Sequence, residues 1–374
     1  MANEAKATRS GNSNMRALNF SSGPAMLPAA VLEQARDEML SYKGSGMSVM
    51  EISHRSDAFA QIKQRAESGL RRLLGLGEEF EVLFMHGGAT MQFSAVPMNL
   101  LAEGKSADYI VTGAWSKKAV AAAEKYGTVR IAYTSEQFGF ARVPGSGEVV
   151  PSSDAAYLHY TTNETIHGVE FQYDLDAGNI PVVCDASSNI LSRPFDTTKY
   201  SLIYAGAQKN LGPSGLTVVL IRRSLLERTR RVQPALLDYL NIAENDSMPN
   251  TPNTWAIYIM ALVCEWLETE GGVAEIAGRN QRKAEIVYAA IDESEGFYQG
   301  AVEKSSRSRM NITFRLPDAE LERLFLAEAE ENQMYGLAGH RSVGGIRASM
   351  YNAFPVEGAA KLADFMRDFL RRRG

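Results

Sequence analysis

Asp185 closes the apolar run Pro181-Val182-Val183-Cys184, and 24 positions later Lys209 stands in Tyr204-Ala205-Gly206-Ala207-Gln208-Lys209-Asn210-Leu211-Gly212-Pro213-Ser214-Gly215. A lysine amine condenses with an aldehyde to a Schiff base. A carboxylate opposite a pyridine nitrogen keeps that ring protonated, so that it draws electrons from a substrate carbanion. Together the two residue types can run pyridoxal phosphate chemistry. Asp185 falls where a buried strand would end, which in an open α/β sheet is the side of the ligand crevice. Taken singly, an aspartate is more often salt-bridged and a turn lysine more often solvated, so the flanking sequence decides.

Other residues suit the same centre. Gly87-Gly88-Ala89-Thr90 lies between a strand-like and a helix-like run, where free backbone amides and the helix dipole accommodate a small anion such as a cofactor phosphate. A glycine pair of this kind also serves plain tight turns. Trp115 follows a strand end in Thr112-Gly113-Ala114-Trp115-Ser116 and could lie flat on an aromatic ring. Thr165, in Asn163-Glu164-Thr165-Ile166-His167-Gly168, offers a loop hydroxyl to a cofactor oxygen, while His167 is left out of the site. Two His-Arg pairs, His54-Arg55 and His340-Arg341, are joined by Arg347 in Gly344-Gly345-Ile346-Arg347. Such a cationic set exceeds the need of one carboxylate. It matches a substrate with both a carboxylate and a phosphate, since guanidinium captures either in bidentate fashion and a phosphate ester carries about −1.5 to −2 charges. Each arginine alone fits a surface salt bridge equally, and sequence does not bring the two ends of the chain together.

Helical spacing marks Ala29 to Leu40 and Asp57 to Leu74, the latter closed by Gly75 and Gly77. Glu81 to Met85 reads as a strand that passes through the His86 to Gln92 turn into a helix from Phe93 to Leu101. Further strand-like runs are Asp108 to Thr112, Tyr157 to Tyr160, Pro181 to Cys184, Leu202 to Ala205 and Leu216 to Ile221. Strands that alternate with helices imply an α/β fold with a largely parallel sheet covered on both faces. Thr254 to Thr269 is a long helix broken by Gly271-Gly272. Beyond it, helices at Val273 to Ser294 and Asp318 to Asn332 and strands at Met310 to Arg315 and Gly345 to Ser349 make a second, smaller domain. Arg371-Arg372-Arg373 ends a final helix, where cations suit the dipole.

The chain has 374 residues, too many for one ordinary core. Apolar residues at 45% and charged residues at 22% are those of a globular protein, and 39 basic against 44 acidic residues leave a net charge of −5, with no field to recruit nucleic acid or an anionic membrane. Cys184 and Cys264 lie in expected core elements without CxxC or Cys/His spacing, which excludes a disulfide framework and a zinc site and suits a reducing cytoplasm. No apolar run reaches the length of a membrane helix, and the first fourteen residues lack the apolar centre of a signal peptide.

The ordered set of Phe20-Ser21-Ser22-Gly23-Pro24-Ala25, Met50-Glu51-Ile52-Ser53-His54-Arg55-Ser56, the His86 to Gln92 turn, Gly113-Ala114-Trp115-Ser116, Asn163-Glu164-Thr165, Asp185 with Ser187-Ser188, the Lys209 segment and Gly339-His340-Arg341 with Gly344 to Ser349 resembles the phosphoserine aminotransferase family of class V, fold-type-I pyridoxal phosphate enzymes. Only residues 1 to about 15 fall outside the resemblance. It implies a large domain over residues 16–270 with a mostly parallel seven-stranded sheet, and a smaller α/β domain over 271–374. Segment 16–28 would pack on the small domain, and 1–15 would be a disordered tail. By the same resemblance Lys209 is the Schiff-base lysine and proton shuttle, Asp185 partners the pyridine nitrogen, Trp115 stacks on the ring and Thr165 contacts its phenolic oxygen. Ala89, Thr90 and Gln208 form the phosphate cup, completed across a homodimer by Asn250 and Thr251. Arg347 holds the substrate α-carboxylate, while His340, Arg341 and, across the dimer, His54 and Arg55 hold the substrate phosphate. The implied reaction moves an amino group from glutamate to 3-phosphohydroxypyruvate. It leaves open a second substrate from vitamin B6 synthesis, 4-phosphohydroxythreonine.

Three alternatives stand beside this reading. A cysteine desulfurase of the same class needs an accessible reactive cysteine, which Cys184 and Cys264 do not offer, and a simple amino acid transaminase has no use for the second cationic cluster. A cofactor carrier without turnover is the alternative from another class.

Overall fold

The computed structural model describes residues 16–232 and 234–374, so the expected tail at 1–15 lies outside the described residues. Seven strands form the main sheet: β1 (Phe80–His86), β2 (Ser106–Val111), β3 (Thr128–Thr134), β4 (Leu158–Thr161), β5 (Val182–Asp185), β6 (Leu202–Gly206) and β7 (Leu216–Arg222). Their spatial order is β1-β7-β6-β5-β4-β2-β3. Only β7 runs antiparallel, to both of its neighbours. Every residue of β4, β5 and β6 is buried, as central strands of a sheet covered on both faces must be, and this is why they read as apolar runs rather than alternations. β3, absent from the strand-like runs of the sequence, lies at the edge with only Tyr133 buried, so its Thr-Val-Arg-Ile-Ala-Tyr-Thr sequence carries no contiguous apolar signal.

From β2 the chain passes outward to β3 and returns to β4 on the other side of β2, which opens a crevice at the ends of β2 and β4. Because β1 to β6 share one direction, the loops after β1, β2, β4, β5 and β6 emerge on a single rim, together with the start of β7. Residues far apart in sequence are thus delivered to one place by strand direction alone.

The helices are α1 (Ala29–Asp37), α2 (Asp57–Leu74), α3 (Ala89–Leu100), α4 (Ala114–Ala123), α5 (Thr254–Thr269), α6 (Gly272–Asp292), α7 (Ala319–Glu331) and α8 (Val356–Arg373). In α2 the Ser56 hydroxyl accepts from the Phe59 amide, and the helix stops at Gly75, whose φ of 62° suits glycine. Its stripe Phe59, Ile62, Ala66 and Leu70 is fully buried, worth roughly 1.5–3 kcal/mol for each large apolar side chain. α1 ends at Asp37 and not at the expected Leu40, which is 84% exposed and contributes nothing to a core. α3 begins at Ala89 rather than at Phe93, so the glycine turn is itself a helix N-terminus.

A second core gathers around the antiparallel pair β8 (Asn311–Phe314) and β9 (Ile346–Ser349), covered by α6, α7 and α8. Phe20 is fully buried in it, and Leu18 pairs with Met334 in a short parallel bridge. Among the described residues no helix is long and apolar enough to cross a membrane.

Candidate active site

A cavity of about 200 Å³ opens at the strand-end rim. Its wall takes Gly87 to Thr90 from the β1–α3 turn, Trp115 from the first turn of α4, Thr165 from the loop after β4, Asp185, Ser187 and Ser188 from the end of β5, and Gly206 to Lys209 from the end of β6. The Lys209 Nζ donates to Thr165 Oγ1 at 2.8 Å and to Ser188 Oγ at 2.6 Å. Asp185 is 5% exposed and its Oδ1 accepts from the Ser187 amide at 2.9 Å. Phe93 lies on one side of Trp115, with ring centroids 6.4 Å apart, and Lys118 Nζ stands 4.2 Å from the centre of the indole.

Burial drives the electrostatics. It pushes the Lys209 amine down to about 8, aided by the Arg347 charge and opposed by Asp185 and Glu164. It pushes the Asp185 carboxyl up, with the Ser187 hydrogen bonds and the Lys209 charge pulling it back. The amine therefore holds a far larger neutral fraction near physiological pH than an ordinary lysine, and this is the form a nucleophile or proton acceptor needs. Trp115 Nε1 is buried without a partner, and no side chain caps the first turn of α3, which leaves its amides for an anion.

Next to this cavity, across the Thr165-Ile166-His167 loop, lies a second of about 210 Å³ lined by His167, His340 and Arg347 among others. Arg347 is 8% exposed, its Nε has no hydrogen-bond partner, and no acid pairs with it among the described residues. A buried guanidinium without a counter-charge is costly unless a ligand supplies one. His340 is pushed down by burial and by Arg347, Lys118 and Arg341, and His167 by burial, Lys117 and His340. These mutual effects mark one cationic patch. His167 therefore belongs to the wall of this site, contrary to its omission on sequence grounds.

The structure thus brings together Ala89, Thr90, Trp115, Thr165, Asp185, Gln208 and Lys209 in one cavity, with His340 and Arg347 beside it. Arg341 is exposed on the adjoining loop. His54, Arg55, Asn250 and Thr251 line neither cavity of this chain; Asn250 instead approaches His86 at 3.3 Å, at the end of β1. Sequence reasoning gave no role to Ser188, Glu164 or Lys118. The signal for the first two was a polar residue inside a wholly buried stretch; Lys118 had none, because only the α4 helix turn sets it over Trp115.

The donor set fits pyridoxal phosphate part by part: an amine for the aldehyde, a buried acid for the ring nitrogen, an indole for the ring face, and uncapped helix amides for the phosphate. A sheet of this order with such a crevice defines a pyridoxal phosphate-dependent enzyme of fold type I. The aminotransferase class-V family model matches residues 17–362, and the chain belongs to that family. Within it, the chain is similar to the phosphoserine aminotransferase of Nitrosomonas europaea, at 54% identity over 94% of this chain and 97% of the relative. Among solved structures it is similar to phosphoserine aminotransferase from Bacillus circulans subsp. alkalophilus, with a TM-score of 0.94 and 46% identity over 96% of this chain and 99% of that one. A third likeness is to the pyridoxal phosphate-bound phosphoserine aminotransferase from Trichomonas vaginalis, with a TM-score of 0.89 and 40% identity over 94% and 100% of the two chains.

Proposed function

We propose that the chain is a phosphoserine aminotransferase that moves the amino group of glutamate to 3-phosphohydroxypyruvate, giving 2-oxoglutarate and 3-phosphoserine in serine biosynthesis. The observation that carries this reading is the unpaired, buried Arg347 beside the Lys209 cavity, within a patch that also holds His167, His340 and Lys118. One carboxylate would satisfy Arg347. The charges of Lys118 and Arg341 and the ring N–H donors of His167 and His340 suit the phosphate of one substrate and the γ-carboxylate of the other, so that one pocket serves both halves of the reaction.

Pyridoxal phosphate, when bound, supplies an aldehyde carbon to carry the amino group and a ring to accept the electron pair left at the substrate Cα. Lys209 would hold that aldehyde, and its amine, when free, would take the proton from the substrate Cα and deliver it to the former aldehyde carbon. Asp185 keeps a proton on the ring nitrogen, and Trp115 covers the ring face and excludes water. Thr165 hydrogen-bonds the phenolic oxygen. The amides of Ala89 and Thr90 with Gln208 bind the cofactor phosphate, joined by Asn250 and Thr251 of a second copy in a homodimer. Arg347 orients the α-carboxylate. His340 and Arg341, with His54 and Arg55 of the second copy, bind the substrate phosphate.

In this reading residues 16–270 act as the cofactor-binding domain and 271–374 as the smaller domain that brings Arg347, with the enzyme working in the cytoplasm. The test is transamination between glutamate and 3-phosphohydroxypyruvate, with 3-phosphoserine measured, and with pyruvate, glyoxylate and the 2-keto acid of 4-phosphohydroxythreonine as rival acceptors. Strong preference for phosphorylated acceptors, lost selectively in Arg341→Ala, is expected. Equal use of pyruvate or glyoxylate would overturn the substrate assignment.

A further inference from the structure

Glu164 is fully buried, lies outside the wall of either cavity, and belongs to a two-residue strand that pairs with Val169–Glu170. Its Oε2 accepts from the Trp115 amide at 2.9 Å, and its Oε1 accepts from the Ser116 amide at 2.8 Å and from the Ser116 hydroxyl at 2.6 Å. These amides belong to the first turn of α4, where the positive end of the helix dipole offsets a carboxylate's lost hydration. The approach explains Gly113: a Cβ there would stand 2.5 Å from the Glu164 carboxyl carbon. The next residue, Thr165, accepts from the Lys209 amine. One short segment therefore grips the turn that carries Trp115 and supports the lysine.

We propose that Glu164 is a positioning residue of the cofactor site, its buried carboxylate anchoring the α4 turn that carries Trp115. Its charge also favours the protonated Lys209 amine, and two other charges bear on that balance. Asp185 favours the protonated amine as Glu164 does, while Arg347 and burial oppose both. Removing the Glu164 charge therefore lowers the pH at which the amine becomes neutral. Glutamine in its place also sets an NH₂ group against an N–H of α4, so the grip on the turn weakens along with the charge. Aspartate keeps the charge but shortens the reach.

The inference rests on the pyridoxal phosphate reading of the cavity, and one experiment separates the two. The cofactor-free protein is titrated with pyridoxal phosphate across pH, following the visible band that appears when the aldehyde joins Lys209, together with tryptophan fluorescence. In Glu164→Gln the pH of half-maximal band formation should fall below the parent value, with weaker quenching of Trp115 by the cofactor. In Glu164→Asp the midpoint should stay at the parent value while the quenching weakens. A parent chain that forms no band overturns the cofactor reading. A band with an unmoved midpoint in Glu164→Gln, or an equal shift in both variants, overturns the role of Glu164 alone. Should Glu164→Gln not fold, the aspartate variant decides: a midpoint shifted in it contradicts the charge argument.

Discussion

The chemistry of the site is set by a few groups whose protonation is governed by burial. With the Lys209 amine pushed down to about 8, roughly half of it is neutral at that pH, whereas an unperturbed lysine would be almost wholly charged. Cofactor uptake by the cofactor-free protein, read from the rise of the visible band, should climb as pH passes through about 8 and flatten above it; a rise centred near the ordinary lysine value would contradict the environment described here. Arg347 makes the opposite demand, since it stays charged and unpaired until a substrate arrives. Arg347→Met should leave the ligand-free thermal midpoint equal or higher while transamination falls by at least about a hundredfold, because it removes the desolvation cost of a buried unpaired charge. Calorimetry and steady-state assays check both. At this scale Asp185 and Lys209 were legible from residue type and context. Ser188 was not given a role, because its signal, a polar residue in a buried stretch, names no partner until the lysine amine is found 2.6 Å from it.

Elements place these groups by direction and by their ends. α2 and α5 have the bounds read from the sequence, since each is an uninterrupted helical stripe between clear caps: Ser56 and Gly75 for α2, Asn253 and Gly271-Gly272 around α5. The bounds failed where the signal was tertiary. α3 starts four residues early because its first turn lines the cavity and buries no apolar side chain, and β3 is an edge strand without an apolar run. The junction of β2 with α4 depends on a glycine through close approach. Gly113→Ala would drive a Cβ into the Glu164 carboxylate and cost it one or more of its bonds to the Trp115 and Ser116 amides. A destabilisation of about 1–3 kcal/mol in denaturant unfolding is expected, with an altered tryptophan signal. Parent stability in this variant would mean that the carboxylate is not held as described.

Over the whole molecule, the ends of the chain close on the centre. Phe20 is buried in the C-terminal core, the Tyr351 hydroxyl donates to the Ser22 carbonyl, and the Asn352 amide donates to Asn210 Oδ1, one residue from the lysine. No local pattern records this joining of residues 16–28 and Arg347 to the strand-end rim; only the family resemblance implied it. Lys283, fully buried in α6, clamps the junction by donating to the carbonyls of Met350 and Tyr351 at 3.1 and 2.7 Å. Burial pushes its amine from 10.5 down to about 7. The sign follows: below about 7 the chain carries the full cost of the buried charge, and stability rises as pH climbs from there toward 10.5, where the unfolded chain still holds a proton that the folded one has shed. Lys283→Met should therefore raise the melting temperature, relative to the parent, more at about pH 6 than at about pH 9, and an equal difference at both would contradict the assignment.

The central claim is that one amine, that of Lys209, carries the cofactor. Borohydride reduction of the pyridoxal phosphate-loaded protein, followed by peptide mass mapping, tests it most directly. The account predicts a single phosphopyridoxyl adduct on the peptide that contains Lys209, and none in Lys209→Ala. An adduct on another lysine at equal yield, or no adduct in the loaded protein, would contradict it.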